Sequence, residues 1–262
     1  MPTSKDSAIT RFGFSLERGG AHSSRTMMLE ELGQLIAYIG RSEASKADYQ
    51  HAIYQENCLK KRSGKTRILT FRHLVDLYGL DPSIPIFRVL LFFWERDPAG
   101  QALLALLCVY CRDSIFRATA PFILAFPERS IISRVALEDF IDELEPSRFS
   151  KATLKSTAQN INSTWTKSGH EIGRSKKIRT RAIPTVGSVA YALYLGYLSG
   201  LRGPALFKSE YLHLLDCSTD KAMGLAEEAS RKGWIVFKRV GEVMEVLFPN
   251  LILPAELEWL RE

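Results

Sequence analysis

Apolar residues recur at helical spacing along most of this chain. Between residues 28 and 39 they occupy positions i, i+4, i+7, i+8 and i+11, which share one face of a helix, and Gly40 supplies a stop. Further helices are expected from after Ser45 to about Cys58, and after Ser63 and Ser150, whose hydroxyls can cap free backbone N–H groups. In the helix after Ser63, Ile68, Phe71, Val75 and Tyr78 share the face expected to meet the core. The apolar stretch from residue 82 to about 126 predicts a central helical core. These patterns favour a mostly α-helical fold.

The final quarter of the chain has the pattern of a winged helix. Helices are expected at 186–199, 204–215 and 218–232, and strands at 234–240 and 243–248 flank a Gly241-Glu242 turn. The predicted fold is therefore a mostly α helical bundle with helix-turn-helix units and a C-terminal winged helix, whose wing is a small β-hairpin.

Five regions follow from these patterns, since 262 residues are enough for several packed units. They are a polar N-terminal tail at 1–25 that docks through its aromatic residues, a helix-turn-helix-like region at 26–80, a central helical core at 81–146, a basic helix and arm at 147–183, and a winged-helix-like domain at 184–262.

Charge and cysteine content indicate which partners and which cellular compartment the sequence favours. The 35 Lys and Arg exceed the 29 Asp and Glu, so the net charge of +6 favours a polyanionic partner or an acidic membrane surface. Four cysteines are too few for a disulfide scaffold, and the N-terminus lacks the basic-then-apolar order of a signal peptide. We therefore expect a cytoplasmic protein.

The two longest apolar runs do not read as membrane spans. Residues 84–94 are interrupted by Arg88 and end at Glu95, and residues 102–111 end at Arg112. Both predict buried core helices, and no membrane partner is expected.

The first of two basic segments combines a turn with the start of a helix. It contains six cations and no acid: Lys60, Lys61, Arg62, Lys65, Arg67 and Arg72. Cationic side chains beside a helix N-terminus suit phosphate contacts, and a solvated face is the alternative. Gly64-Lys65-Thr66 imitates the end of a phosphate-binding P-loop, but Leu59 replaces its first glycine and no strand precedes it, which argues against nucleotide hydrolysis.

The second basic segment, residues 148–181, has nine cations against one acid, Glu171. Its helix carries Lys151 and Lys155 among Ser, Thr, Asn and Gln, which contact phosphates and base edges. A Gly-punctuated wing or arm follows, with Arg174, Lys176, Lys177, Arg179 and Arg181. A disordered basic linker is the alternative.

The expected recognition helix of the C-terminal region has no net charge. It contains Lys221, Arg231 and Lys232 against Asp220, Glu227 and Glu228. Packing or protein contact is therefore an alternative to base reading. Lys238 and Arg239 in the hairpin are the better phosphate contacts of this region.

No catalytic constellation is found. Cys108 and Cys111 have CxxC spacing, but they lie in an apolar helix without a second pair nearby, so core packing is expected. The five histidines are scattered, and GxSxG and HExxH motifs do not occur. The acidic cluster Glu138 to Glu145 predicts a solvated helix face or a docking surface for the basic segments, and metal binding and mimicry of nucleic acid are its alternatives. We expect no catalytic residue, metal, cofactor or small-molecule substrate.

Several blocks resemble the BrxA family of BREX (bacteriophage exclusion) phage-defence systems. They are Glu56-Asn57-Cys58-Leu59-Lys60-Lys61-Arg62-Ser63 with Thr66-Arg67, Asp97-Pro98 before an apolar helix that reaches Arg112-Asp113, the basic helix ending at Trp165 and Gly169, and the Gly233-Trp234-Ile235 hairpin. The resemblance covers roughly residues 12 to 250. It implies a helical, non-enzymatic protein that binds double-stranded DNA in bacterial phage defence, encoded beside a methyltransferase and other BREX components. The family has also carried an inner-membrane description, against which the interrupted apolar runs argue.

The functional prediction is a non-enzymatic accessory protein that binds double-stranded DNA mainly through phosphates, with low sequence specificity and with other BREX components as partners. Two alternatives remain open. One is a protein-interaction adaptor that assembles the defence complex. The other is an RNA-binding protein, although the chain lacks the RNP-type aromatic residues and GXXG loop of common RNA modules.

Overall fold

The computed structural model describes residues 9–241 and 243–260. The described α-helices are α1 (Leu29–Ile39), α2 (Lys46–Tyr54), α3 (Gly64–Tyr78), α4 (Pro85–Arg96), α5 (Gln101–Arg112), α6 (Ser114–Leu124), α7 (Arg134–Leu144), α8 (Lys151–Lys167), α9 (Val186–Leu198), α10 (Glu210–His213), α11 (Thr219–Arg231) and α12 (Pro254–Trp259). Short 3-10 helices span Ala21–Ser23, Pro98–Gly100 and Gly203–Lys208. The prediction of a mostly helical fold is confirmed.

Two small antiparallel sheets complete the fold. In the first, β1 (Ile131–Ile132), β2 (Glu171–Ile172) and β3 (Lys177–Arg179) lie in the order β1-β3-β2. In the second, β4 (Val236–Val240) pairs with β5 (Val243–Leu247). The second sheet is the predicted hairpin. The first was not expected, because two- and three-residue strands leave no alternating pattern in the sequence.

Helix starts follow the predicted serine caps. The hydroxyls of Ser45, Ser63 and Ser150 each accept a hydrogen bond from a backbone N–H in the first turn of α2, α3 and α8. Two boundaries differ from the prediction. Helix α2 ends at Tyr54 rather than near residue 58, and the helix expected at 204–215 is broken, because Ser209 caps the separate short helix α10.

The core-facing side of α3 also differs from the expected one. Ile68, predicted to face the core, is 53% exposed, whereas Phe71, Leu74 and Tyr78 are buried. The connection from α2 to α3 spans residues 55–63, so it is longer than the turn of about three to four residues in a DNA-binding helix-turn-helix.

The core is built around α4, α5 and α9. Both apolar runs expected to be core helices, α4 and α5, are largely buried. The ring of Phe93 in α4 packs against Tyr191 of α9 and Trp234, so the C-terminal region rests on the central core. Arg88 reinforces this contact through an ion pair with Glu256 at 2.6 Å.

The described part of the N-terminal segment docks through its aromatic residues, as expected. Phe12 is 1% exposed and packs against Trp259, and Phe14 packs edge-on against Tyr211. Residues 1–8 of the predicted tail lie outside the described residues.

Within the described ranges, no single helix has both the length and the apolar character needed to cross a membrane. The segments Pro98–Arg112 and Ser114–Leu124 meet that test only when taken together, and they are bent by 119° relative to each other.

Candidate nucleic-acid interface

The first basic turn owes its shape to Asn57. The Asn57 side chain accepts a hydrogen bond from the Lys61 N–H at 2.8 Å and donates one to the Lys61 carbonyl at 3.1 Å. Asn57 and Lys60 both have a φ of 50°, a left-handed conformation that Asn tolerates better than most residues. The loop closes on itself in this way and leaves Lys60 and Arg62 exposed.

Helix α3 begins directly after this turn and adds to its positive potential. Its first turn contains Lys65 and no acid, so the helix dipole there is not offset by a carboxylate. Arg72 follows Lys65 at i+7 on the same face, and both are exposed.

Two cations of this segment support the fold instead. Lys61 Nζ lies 3.1 Å from Glu31 Oε1, and both side chains are only about a quarter exposed. The guanidinium of Arg67 donates to the Tyr54 carbonyl at 2.6 Å. Lys61 and Arg67 therefore attach the basic turn to α1 and to the end of α2, and they are less available to a ligand than predicted.

Helix α8 presents a polar stripe. Lys151, Lys155 and Gln159 are exposed at four-residue spacing, which places them along one side of the helix. Thr157 and Thr164 on the opposite side are fully buried. Lys151 and Lys155 form no ion pair with any described residue, so both charges face solvent.

The arm that follows α8 is a tight β-hairpin. Its turn, residues 173–176, exposes Arg174 and Lys176. Gly173 has a φ of +98°, and a Cβ there would lie 2.1 Å from the Lys176 carbonyl oxygen, so only glycine fits. Lys177 Nζ donates to Thr166 Oγ1 at 2.7 Å and thereby fastens the hairpin to the end of α8. The disordered-linker alternative does not describe this segment.

Arg179, which was predicted to contact phosphate, is instead buried inside the protein. It is 3% exposed, and its guanidinium forms two parallel hydrogen bonds with the Asp216 carboxylate at 2.6 and 2.8 Å. Its charge is already neutralised inside the protein, so we remove Arg179 from the candidate phosphate contacts. Arg181 is exposed but lies 3.3 Å from Glu128.

The base of this hairpin buries a carboxyl group and an imidazole. Glu171 is 1% exposed, and neither of its oxygens has a hydrogen-bond partner among the described residues. Burial raises the pKa of Glu171 to about 8, although Lys177 and Arg179 act in the opposite direction. Burial lowers the pKa of the neighbouring His170 to about 4, and its Nε2 donates to the Leu214 carbonyl at 2.7 Å. Both side chains are therefore held uncharged near neutral pH.

The C-terminal hairpin offers fewer free charges. Lys238 lies 3.8 Å from Glu245 on the paired strand. The Arg239 guanidinium donates to the Gly241 carbonyl at 3.2 Å and contacts Met223 of α11. Both cations remain exposed, but each has a local partner.

Acids near α8 pair locally rather than with its lysines. Helix α7 packs along α8, and its Glu138 pairs with Arg134. Glu145, just after α7, pairs with Arg148. The acidic helix therefore docks along the helix of the second basic segment, but Lys151 and Lys155 form no ion pair with its acids among the described residues.

Consecutive acids on α1 bring the two basic segments together. Glu31 binds Lys61 of the basic turn, and Glu30 binds Lys167 at the end of α8. Neighbouring Cα atoms are only about 3.8 Å apart, so the turn and the end of α8 lie on either side of one helical turn. The hairpin follows directly, since Lys177 is hydrogen-bonded to Thr166. Two basic segments separated by about eighty residues of sequence therefore become neighbours.

Eight predicted cations stay exposed without a hydrogen bond or ion pair to a described residue, and we refer to them as the candidate contacts. They are Lys60, Arg62, Lys65, Arg72, Lys151, Lys155, Arg174 and Lys176.

A buried hydroxyl, imidazole and carboxylate form an arrangement that the sequence did not reveal. His22 Nδ1 lies 2.8 Å from Asp113 Oδ2, and His22 Nε2 lies 2.9 Å from Thr164 Oγ1, which also accepts from the Met27 N–H. This order of groups occurs in nucleophilic triads, but all three residues are at most 1% exposed. The network joins the N-terminal segment, the start of α6 and α8, and a substrate has no access to it.

The charge state of Asp113 fits the structural role of this network. Burial by itself would raise the pKa of Asp113, yet His22 and backbone N–H donors lower it below its ordinary value.

Cys108 and Cys111 are buried in α5, where burial raises the pKa of both thiols. In residues 9–241 and 243–260, no group of three or more His, Cys, Asp or Glu side chains is arranged to hold a metal ion.

A comparison with protein-family models gives no match to this chain, and a comparison with curated proteins gives none either.

Proposed function

We propose that this protein binds double-stranded DNA through the candidate contacts, mainly at phosphates and with low sequence specificity, and that it does so without catalysis. The observation that supports this most is the bridge formed by Glu30 and Glu31, which gathers the basic turn, the end of α8 and the basic hairpin around one helix. A backbone of repeated phosphates suits a surface of separated cations better than a small anion does.

The dimensions agree with a duplex. From Lys151 to Gln159 the stripe on α8 rises by about 12 Å at 1.5 Å per residue, roughly a third of one duplex turn. Ser, Thr and Gln side chains interspersed with the lysines can donate to phosphate oxygens at intermediate positions.

The setting in phage defence is also a proposal, and it rests on the BrxA-like sequence blocks. On that basis the protein is an accessory component of a BREX system in the bacterial cytoplasm. Its partners would be double-stranded DNA and other BREX proteins.

The test is fluorescence anisotropy on a mixed-sequence duplex across a salt series. Eight contacts predict a loss of affinity within the range of about 10³ to 10⁵ between 50 and 200 mM salt. Three variants, K60A/R62A, K151A/K155A and R174A/K176A, should each reduce the log–log salt slope by about 1.8, because each removes two contacts.

A matched control is K46A/K208A, which removes two exposed lysines outside the candidate contacts and should leave the slope unchanged. Absence of binding at 50 mM salt by the folded wild type would overturn the proposal. Stronger binding to an RNA duplex in competition would replace DNA by RNA as the ligand.

The second candidate function is a protein-interaction adaptor, and the C-terminal region favours it. If the order α9, α10, α11 and β4–β5 forms a winged helix, the wing tip carries Val240 and Val243, which are 80% and 74% exposed. Exposed valines beside a helix without net charge suit a protein partner better than DNA. Pull-down of the co-encoded proteins at high salt, with V240S/V243S as the comparison, tests this function.

A further inference from the structure

A cleft lies between α3 and the N-terminal segment. It has a volume of about 1010 Å³ and is enclosed by residues 10–23 on one side and by α3 on the other, with Ile84 and Arg112 also in its wall. This volume is at the upper end of the range for small-molecule sites.

The lining of the cleft is cationic. The charged residues that line it are Arg11, Glu17, Arg18, Arg72, Asp76 and Arg112. Four guanidinium groups against two carboxylates favour an anionic ligand.

The four arginines differ in availability. Arg112 donates to the carbonyls of Gly13, Val75 and Asp76, so it holds the cleft walls together. Arg18 and Arg72 are exposed and make no hydrogen bond or ion pair with any described residue. A ligand in the cleft can therefore use both without breaking an internal contact.

His73 adds an unsatisfied polar atom to the same wall. Its Nδ1 is buried and has no hydrogen-bond partner in the described part of the chain. A buried polar atom without a partner is unfavourable, so a rotation of the imidazole that brings Nδ1 to the cleft surface and into a hydrogen bond with a bound group is favoured. Burial, together with the nearby Arg25, lowers the pKa of His73.

The wall opposite α3 is held in place before any ligand arrives. Ser114 Oγ donates to the Gly19 carbonyl at 2.6 Å and accepts from its N–H at 3.0 Å. Arg117 donates to the Ser15 carbonyl at 2.8 Å, and the Ser15 N–H donates to the Cys111 carbonyl at 3.0 Å. Such attachment reduces the entropy lost on binding.

Apolar side chains complete the lining. Leu16, which is 48% exposed, and Leu69 both face the cleft. A flat aromatic group can pack on them while its anionic end meets the arginines.

We propose that this cleft binds a nucleoside phosphate, with the phosphate at Arg18 and Arg72, a hydrogen bond to His73 Nδ1, and the base against Leu16 and Leu69. The ligand is either a free nucleotide or the 5′-phosphorylated end of a nucleic-acid strand, since both present the same chemistry. The site shares Arg72 with the candidate contacts, whereas Arg18 and His73 belong to the cleft alone, so variants at these two residues test the cleft separately from duplex binding.

The experiment is isothermal titration calorimetry of the full chain with adenosine monophosphate, adenosine and inorganic phosphate. The monophosphate should bind more tightly than either of the other two. R18Q removes an exposed side chain and should weaken monophosphate binding about 10-fold, the effect of losing one charge-assisted hydrogen bond. H73F keeps the ring and removes the nitrogen, and it should weaken binding as well.

The matched control is R174Q, in the basic hairpin, which should leave monophosphate binding unchanged while weakening duplex binding. Folding of each variant is checked by circular dichroism. Titration with a short single strand, with and without a 5′-phosphate, separates the two sources: a preference for the phosphorylated strand over the monophosphate identifies the strand end.

Three results would overturn the proposal. They are no heat from the monophosphate with the folded wild type, equal binding of inorganic phosphate and the monophosphate, and unchanged binding by both R18Q and H73F. Since duplex anisotropy is measured separately, failure of the cleft and failure of duplex binding are distinguishable.

Discussion

Two regions of this molecule share one plan and differ in charge. In each, a serine caps a helix, the helix ends before a glycine with positive φ, and a β-hairpin follows: α8 with Gly169 and β2–β3, and α11 with Gly233 and β4–β5. The first unit has three lysines and no acid in its helix and a basic turn in its hairpin. In the second, α11 with its C-cap Lys232 has three cations and three acids, and the hairpin tip exposes Val240 and Val243. The same architecture can therefore serve different ligands, and the charge pattern indicates which.

Charge reversal should separate the two units most clearly. K151E/K155E/R174E/K176E in the first unit should lower duplex affinity about 10²-fold to 10³-fold, because four contacts are lost and replaced by repulsion. The matched variant K221E/R231E/K238E/R239E changes the net charge equally in the second unit. Its fold-loss of duplex affinity should be less than about a tenth of that of the first variant. Both are measured by anisotropy at one fixed salt concentration.

Equal losses in the two quadruple variants would mean that net charge alone attracts the duplex. A larger loss in the second unit would transfer the DNA contact to α11 and its hairpin.

The pH dependence of stability should also differ between the two hairpins. The folded state binds the Glu171 proton more tightly than the unfolded chain does, since burial raises its pKa from 4.5 to about 8. Deprotonation therefore favours unfolding as the pH rises from about 4.5 to 8. For His170 the pKa falls from 6.5 to about 4, so stability rises with pH between these values. The two effects on stability oppose each other up to pH 6.5. Above pH 6.5 only the loss of stability caused by deprotonation of Glu171 remains.

E171Q should abolish the decline between pH 6.5 and 8.5, which in the wild type amounts to about 2 kcal/mol. The measurement is urea unfolding at a series of pH values. The control E245Q alters an exposed carboxylate in the second hairpin and should leave the profile unchanged. A wild type whose stability does not decline above pH 6.5 would show that Glu171 ionises without penalty.

The turn glycines should give the smallest of these differences. G173A introduces a Cβ that meets the Lys176 carbonyl at 2.1 Å, so it should destabilise the protein by about 2 kcal/mol. G233A meets nothing within 4 Å, so only its backbone conformation is strained and about 1 kcal/mol is expected. Chemical denaturation measures both, and equal losses would mean that the first hairpin relaxes to accept a side chain.

Much of the secondary structure was predictable because its signals are local. Apolar spacing and a serine hydroxyl three residues before a helical N–H act within one or two turns, so α1, α3, α8, α9 and α11 begin or end close to the expected residues. The strands of the first sheet were missed since β1 and β3 pair across more than forty residues of sequence, and no local pattern records that pairing.

The sequence by itself determined the helical class, the caps and the excess of positive charge in two segments, because each depends on residue types and short spacings. Only the tertiary structure decided which cations remain available. Arg179 forms an ion pair with Asp216, and Lys61 forms one with Glu31; these partners lie 37 and 30 residues away in the sequence. The cleft beside α3 and the buried network of His22, Asp113 and Thr164 likewise exist only after distant segments pack, since burial and ion pairing are properties of neighbours in space.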